Sequence, residues 1–183
     1  GRGFGLAVAG RAERERSPKV LFALDETGQG PLLGFELVGE SGDPVLRGKK
    51  GVAYYDISAG VVHMPNGEKL KAHSGRGHMR DNPKFVHVKN YGPTPPNVYK
   101  LRMREARFHG IEAIRMNPVG DAKMYNRDGF LTHTYLLRRR GDSSGCVVFE
   151  DYNRFLNTYK RGNVHTLIVV PSMRELPKYM AML

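Results

Sequence analysis

The 183-residue sequence has no tryptophan, a single cysteine and no long apolar run. One cysteine excludes an internal disulfide framework and any zinc site built from several thiolates. Without an apolar stretch of roughly 18 residues, no transmembrane segment is predicted. Gly1 is followed by charged residues instead of an apolar core, so no signal-peptide pattern is present either. These absences favour one globular domain, with or without an extension.

Acidic residues are few compared with basic ones. The 18 Asp and Glu residues against 29 Lys and Arg residues give a formal charge of +11. Such an excess is typical of nucleic-acid-binding proteins, because Lys and Arg displace counterions from phosphates. Aromatic residues make up only 9% and no nucleic-acid recognition motif occurs. We therefore predict no specific nucleic-acid partner, and expect a basic surface that favours solubility or approach to an anionic cell wall.

Short apolar stretches separated by turn residues predict a mainly β fold. Strands are predicted at residues 52–57, 61–64, 69–73, 84–89, 98–103, 111–116, 130–137 and 164–170. Five apolar and aromatic residues at three- and four-residue steps, ending before Gly162, predict one substantial amphipathic helix. They are Phe149, Tyr152, Phe155, Leu156 and Tyr159. A shorter helix is predicted within residues 174–183. The expected architecture is a β-sandwich or a partly open barrel.

The first 50 residues differ in character from the rest. Residues 1–17 are rich in Gly, Arg and Glu and predict a flexible lead. Two short strands are predicted at residues 20–24 and 32–38, followed by a polar loop at residues 39–50. We therefore divide the chain into an N-terminal extension or accessory strands at residues 1–50 and a main domain at residues 51–183.

The only cysteine lies thirteen residues after a histidine that falls in a predicted strand. A strand and a returning loop can bring His133 and Cys146 together, and a neighbouring base activates a thiol as a nucleophile. Cys146 is expected at the start of the predicted helix, where the dipole would hold the pKa of the thiol below its ordinary value of about 8.5. Gly145 would let the backbone approach a substrate closely.

Four ordered motifs resemble one known family. They are His133 followed by Ser143-Ser144-Gly145-Cys146, then Ala72-His73-Ser74-Gly75, Asn82-Pro83, and Tyr91-Gly92-Pro93-Thr94-Pro95-Pro96-Asn97-Val98-Tyr99. Together they resemble the L,D-transpeptidases, and most closely their toxin-like relatives, the Tlde1 domains. The resemblance covers roughly residues 51–171.

The resemblance implies a fold, an activity and a set of site residues. It implies a cysteine L,D-transpeptidase or L,D-carboxypeptidase that processes the tetrapeptide stems of peptidoglycan, with an L,D-transpeptidase-like catalytic domain. Cys146 would be the nucleophile and His133 the general base. Ser143, Ser144 and Gly145 would form the oxyanion or substrate-binding loop. A toxin of this kind would be secreted or periplasmic, delivered into the periplasm of a target cell and countered by a cognate immunity protein.

Several alternatives stay open at this point. Arg127 is six residues before His133, an even offset that permits a carboxylate-binding role or a structural ion pair. The arginines at residues 138–140 form either a solvated loop or a charge that favours the thiolate or an acidic stem. The seven histidines lack metal-ligand spacing, so neither a metal nor a cofactor is predicted. The alternative function is a non-catalytic basic module that binds cell wall or nucleic acid.

Overall fold

The computed structural model describes the backbone of residues 36–37 and 46–47 and the whole of residues 49–183. Two short strands, β1 (Glu36–Leu37) and β2 (Leu46–Arg47), pair antiparallel. β1 lies inside the strand predicted at residues 32–38, whereas β2 replaces part of the predicted polar loop. The flexible lead and the strand predicted at residues 20–24 lie outside the described residues.

Within residues 49–183 the chain forms eight more strands, two α-helices and three short 3-10 helices. The strands are β3 (Gly51–Asp56), β4 (Val61–His63), β5 (Lys69–His73), β6 (Asn97–Met103), β7 (Ile114–Pro118), β8 (Leu131–Thr134), β9 (Val147–Phe149) and β10 (Val164–Val170). The helices are α1 (Tyr152–Lys160) and α2 (Leu176–Met180), and the 3-10 turns are Gly77–Met79, Pro83–Phe85 and Met173–Glu175.

The eight strands close into a barrel in the order β10-β3-β4-β5-β9-β8-β7-β6. The prediction of a mainly β fold is confirmed. The sheet is neither a sandwich nor a partly open barrel, because β10 pairs with β3 on one side and with β6 on the other. The β10–β3 and β8–β9 pairs are parallel, and the other six are antiparallel.

The strand predicted at residues 84–89 is wrong. This stretch begins with the 3-10 helix Pro83–Phe85, and Asn82 caps it by accepting a hydrogen bond from the Lys84 N–H at 3.1 Å. Proline at the first helical position is already fixed near the helical φ. Local capping therefore outweighs the alternating apolar pattern of Phe85, Val86 and His87.

The predicted amphipathic helix is present, but it starts later than the periodicity suggests. Phe149 belongs to β9, and α1 begins at Tyr152 after Asp151, whose side chain accepts a hydrogen bond from the Arg154 N–H. The ring of Phe149 stacks on that of Phe155 in α1, with 4.6 Å between centroids. Phe149 thus packs against the apolar face of α1 although it belongs to a strand. This contact explains why Phe149 fits the helical spacing of apolar residues in the sequence.

The core lies on both faces of the central strands. All six residues of β3 are buried. Ala53 and Tyr55 belong to the larger apolar cluster with Phe149 and Phe155, whereas Tyr54 belongs to a second cluster that packs under α2. Alternate residues of a strand face opposite sides of the sheet, so a strand covered on both faces is apolar throughout.

No helix in the described part of the chain is long and apolar enough to cross a membrane.

Candidate active site

Cys146 immediately precedes β9, the strand between β5 and β8. The residue is partly exposed and its thiol is free. The expectation that Cys146 starts a helix is wrong, because β9 and two further residues separate it from α1. The dipole of α1 therefore does not act on the thiol, since this effect is confined to the first turn of a helix.

His133 lies in β8, on the same face of the sheet as Cys146. The parallel register pairs Thr132 with Val147 and His133 with Val148, which places Cys146 beside Leu131. The Leu131 backbone lowers the pKa of the Cys146 thiol, which agrees with this register. Leu131 and His133 are two residues apart and therefore share a face. The register thus brings Cys146, directly before β9, close to the strand that carries His133, and the pairing of the two as nucleophile and base stays a prediction.

A backbone carbonyl orients the imidazole of His133. Its Nδ1 lies 2.6 Å from the carbonyl oxygen of Thr134. A carbonyl only accepts hydrogen bonds, so Nδ1 carries the proton and Nε2 is left as the basic nitrogen. The ring of Phe108 packs against His133, with 5.3 Å between centroids. His133 is buried, and its ring is fixed in one tautomer and one orientation.

Burial keeps both members of the pair neutral. It raises the pKa of Cys146 to about 11, and the Leu131 backbone and the Arg127 guanidinium offset only part of this effect. Burial also lowers the pKa of His133 below its ordinary value, which the bond to Thr134 opposes and the nearby His109 reinforces. The predicted low thiol pKa is therefore wrong. At rest the thiol of Cys146 and the imidazole of His133 are therefore both uncharged near pH 7.

Residues 143–146 form a loop, here called the nucleophile loop, that Ser143 holds in shape. The buried Ser143 Oγ accepts hydrogen bonds from the N–H groups of Gly75 (3.1 Å) and Gly145 (3.3 Å) and donates to the Cys146 carbonyl at 2.6 Å. Its hydroxyl is thus engaged in the loop. Ser143 acts on the site by fixing the backbone that carries Cys146.

Arg127 lies behind the nucleophile loop with its guanidinium buried. Nη1 donates to the carbonyls of Val86 and Pro93, both at 2.7 Å, and Nη2 donates to those of Gly92 (3.1 Å) and Ser144 (3.3 Å). These bonds join the nucleophile loop to residues 86–93. The sequence left open a carboxylate-binding role and a structural ion pair for Arg127. Neither role describes this arrangement, because the N–H groups of Arg127 donate to backbone carbonyls and not to a carboxylate.

Gly145 is required by the shape of the loop. Its φ of +126° is a conformation that residues with a side chain rarely adopt. A Cβ at this position would also lie 2.5 Å from Arg127 Nη2. Glycine therefore allows the Arg127 guanidinium to approach the backbone next to Cys146. The sequence predicts instead that Gly145 allows the approach of a substrate.

Two further residues at this site carry no sequence signal of their own. Thr94 is buried and donates through Oγ1 to the Gly145 carbonyl at 2.5 Å. Arg76 donates through Nη2 to the Ser144 hydroxyl. Both lie in or directly beside motifs that carry the family resemblance, Thr94 in the proline-rich block and Arg76 after Ser74-Gly75. Those motifs were the only available indication of their positions.

The arginines at residues 138–140 are exposed. Arg140 stacks over the ring of Tyr135 at 5.1 Å, and its carbonyl accepts a hydrogen bond from Arg80. In the described part of the chain, the positive charge that lowers the Cys146 pKa comes from Arg127. The solvated-loop reading of the arginine run therefore fits the structure better.

The histidines do not assemble into a metal centre within residues 49–183. His73 pairs with Asp81 through Nδ1 and Oδ2 at 2.5 Å. No group of three or more His, Cys, Asp or Glu side chains in the described residues is arranged to hold a metal ion.

Comparison with known proteins adds one finding to this geometry. The family model described as the Tlde1 domain matches residues 68–173, which is more than half of the chain. The matched span includes His133, the whole nucleophile loop, Arg127 and both residues that the sequence alone did not single out. A search of curated proteins found no match to the chain.

Proposed function

The chain belongs to the Tlde1 domain family, and from this premise we propose that it is a peptidoglycan-modifying cysteine enzyme. It acts as an L,D-transpeptidase or L,D-carboxypeptidase on tetrapeptide stems. The observation that supports this most strongly is the register of β8 and β9, in which Cys146 directly precedes β9 and His133 pairs with Val148. The Thr134 carbonyl fixes His133 so that Nε2 is basic.

The first step in this proposal is proton transfer from the thiol. His133 is neutral at pH 7 and can accept the proton of Cys146 as the sulfur attacks the carbonyl carbon of the third stem residue. The S–C bond forms and the imidazolium appears only in the presence of substrate. Arg127 is the fixed positive charge that favours the developing thiolate.

The oxyanion is held by backbone N–H groups of the nucleophile loop. The Gly145 N–H already donates to Ser143 Oγ, so we assign the oxyanion to the N–H groups of Cys146 and Ser144. The bonds of Ser143, Thr94 and Arg127 to this loop fix its peptide planes before substrate arrives. Such preorganised donors lower the barrier by roughly 3 kcal/mol each.

The acyl-enzyme is then formed and resolved. The C–N bond to the terminal D-alanine breaks, and the imidazolium of His133 gives its proton to the leaving amine. Water that attacks the thioester yields the shortened stem, and an incoming amine yields an exchanged or cross-linked stem. In either case His133 takes a proton from the attacking group and the thiol of Cys146 is restored.

The family also supports a biological role. Membership of this toxin-domain family is consistent with a secreted effector. We propose that the effector acts in the periplasm of a competing cell and is neutralised by a cognate immunity protein. The excess of positive charge would favour its approach to the anionic cell wall.

Muropeptide analysis tests the proposed activity. Purified tetrapeptide muropeptides are incubated with the wild type and with Cys146→Ala, with and without an added D-amino acid, and the products are measured by mass spectrometry. We expect tripeptide products with the wild type, exchanged products when the D-amino acid is present, and neither with the variant. The same products from Cys146→Ala would exclude the mechanism.

A further inference from the structure

Arg76 lies at the rim of the candidate active site, next to the nucleophile loop. It follows Gly75, whose N–H donates to Ser143 Oγ at 3.1 Å, and its own N–H donates to the Tyr91 carbonyl at 2.9 Å. Its side chain donates through Nη2 to the hydroxyl of Ser144. The guanidinium is thus anchored two residues from the nucleophile along the chain.

This guanidinium has hydrogen-bonding capacity that the described residues do not use. Its Nε is buried and makes no hydrogen bond, and no Asp or Glu in the described part of the chain forms a salt bridge with Arg76. Arg115 and Arg154, in contrast, are paired with Glu105 and Glu68. A buried donor without a partner is destabilising and needs an explanation.

Arg104 also has an unpaired Nε, but its setting is different. Its Nη1 donates to the carbonyls of Ala106 and Arg107 within its own loop. The unsatisfied nitrogen of Arg76, in contrast, belongs to a side chain that contacts the nucleophile loop.

An aromatic ring supports the Arg76 guanidinium. Its central carbon lies 5.0 Å from the centroid of Tyr91, which is 51% exposed. Stacking on a ring leaves the edge of a guanidinium available, and that edge binds a carboxylate through two parallel N–H bonds. The arrangement therefore presents a positive charge, held in one plane, to a planar anion.

We propose that Arg76 binds the C-terminal carboxylate of the residue that leaves the stem peptide. This inference rests on the proposed function. In a tetrapeptide stem, only the nitrogen and Cα of the leaving residue separate its carboxylate from the scissile carbonyl. Standard bond lengths place the two carbonyl carbons within about 4 Å of each other. A cation hydrogen-bonded to Ser144 can therefore reach the carboxylate while Cys146 attacks, so Arg76 selects a terminal residue over an internal one.

The experiment compares two substrates and four forms of the protein. The substrates are a tetrapeptide stem with a free C-terminal carboxylate and the same stem with a C-terminal carboxamide. The wild type, Arg76→Gln and Arg76→Lys are assayed for release of the terminal residue, and thermal unfolding verifies that each variant is folded. Arg174→Gln, which removes an exposed positive charge in the C-terminal segment, is the matched control.

We expect the wild type and Arg174→Gln to have kcat/KM at least about 10-fold lower on the carboxamide than on the acid. For Arg76→Gln, kcat/KM on the acid should fall by about the same factor, while kcat/KM on the carboxamide should stay at the wild-type value. This variant should therefore no longer distinguish the two substrates. Arg76→Lys should fall between them, because it keeps the charge but not the fork of donors.

The two possible failures are distinguishable. If folded Arg76→Gln retains the wild-type preference for the acid, Arg76 does not bind this carboxylate, and the proposed function still stands. If the wild type releases nothing from either substrate, the proposed function fails and the role of Arg76 fails with it.

Discussion

At the scale of single residues, the central feature is that Cys146 and His133 are both neutral at rest. Burial shifts the two groups in opposite directions, raising the pKa of the thiol to about 11 and lowering that of the imidazole. Proton transfer is therefore uphill until an electrophile is bound. A neutral thiol is also protected from adventitious oxidation and alkylation, which act on the thiolate.

The pH dependence of thiol alkylation follows from this. The thiolate fraction of Cys146 is about one in ten thousand at pH 7, given a pKa near 11, and grows roughly tenfold for each pH unit. We expect the rate of modification by iodoacetamide to be low at pH 7 and to rise continuously through pH 9. A rate that reaches a plateau below pH 8 would show a resting thiolate–imidazolium pair instead.

Substitution of His133 tests its role as general base. His133→Gln should lower kcat on tetrapeptide stems by about 10² to 10⁴, since the proton acceptor is lost while the ring is replaced by a polar side chain. The wild type should lose activity as pH falls through the pKa of His133, with a midpoint below 6.5, because protonation removes the base. An acid limb above pH 7, or an unchanged kcat in the variant, would assign the base to another group.

At the scale of elements, the nucleophile loop depends on partners that are distant in sequence. Arg127 joins Ser144 to residues 86–93, and Ser143 and Thr94 hold the loop to the end of β5 and to the proline-rich block. Two of the motifs that carry the family resemblance thus contact the segment around Cys146. Gly75 supplies an N–H group and Thr94 a hydroxyl to the nucleophile loop.

Arg127 should be important for stability as well as activity. Arg127→Met should lower the free energy of unfolding by about 3–5 kcal/mol, because four backbone carbonyls lose a charged donor. Arg161→Met, at the exposed end of α1, is the matched control and should change it by less than about 0.5 kcal/mol. Urea denaturation measures both. Equal effects of the two substitutions would contradict the structural role of Arg127.

The sequence predicted the long strands, and it failed where local contacts decide the structure. The pairing of Cys146 with His133 stays a prediction, although the register of β8 and β9 brings the two segments together. The strand β5 and the strand β10 have the predicted bounds, since each follows a clear apolar pattern between turn residues. β9 was missed because three residues are too few for a period, and its register with β8 depends on barrel closure. Burial, which sets the pKa of Cys146, is a property of the packed fold and has no local sequence signal.

At the scale of the whole molecule, barrel closure places the site between strands from distant parts of the chain. β8 and β9 are parallel neighbours, and β5 pairs with β9 on the other side. The parallel pair requires a connection that returns to the same end of the sheet, and residues 135–146 make it. That connection contains the nucleophile loop, so the topology itself brings the loop to His133.

The closed barrel and its two α-helices lie within residues 49–183. We therefore expect a fragment of residues 49–183 to fold by itself, with a thermal midpoint within about 3 °C of that of the full chain. Circular dichroism of both proteins measures this. A fragment without a cooperative transition would show that residues 1–48 complete the fold, and would contradict the division into an extension and a main domain.

The most direct test of the central claim is to detect the acyl-enzyme on Cys146. Wild type incubated with a tetrapeptide stem is quenched in acid, digested and mapped by mass spectrometry. The account predicts that the peptide containing Cys146 gains the mass of the tripeptide acyl group, that hydroxylamine removes it, and that Cys146→Ala shows neither adduct nor turnover. Release of the terminal D-alanine by Cys146→Ala at the wild-type rate, with no adduct on the wild-type peptide, would contradict it.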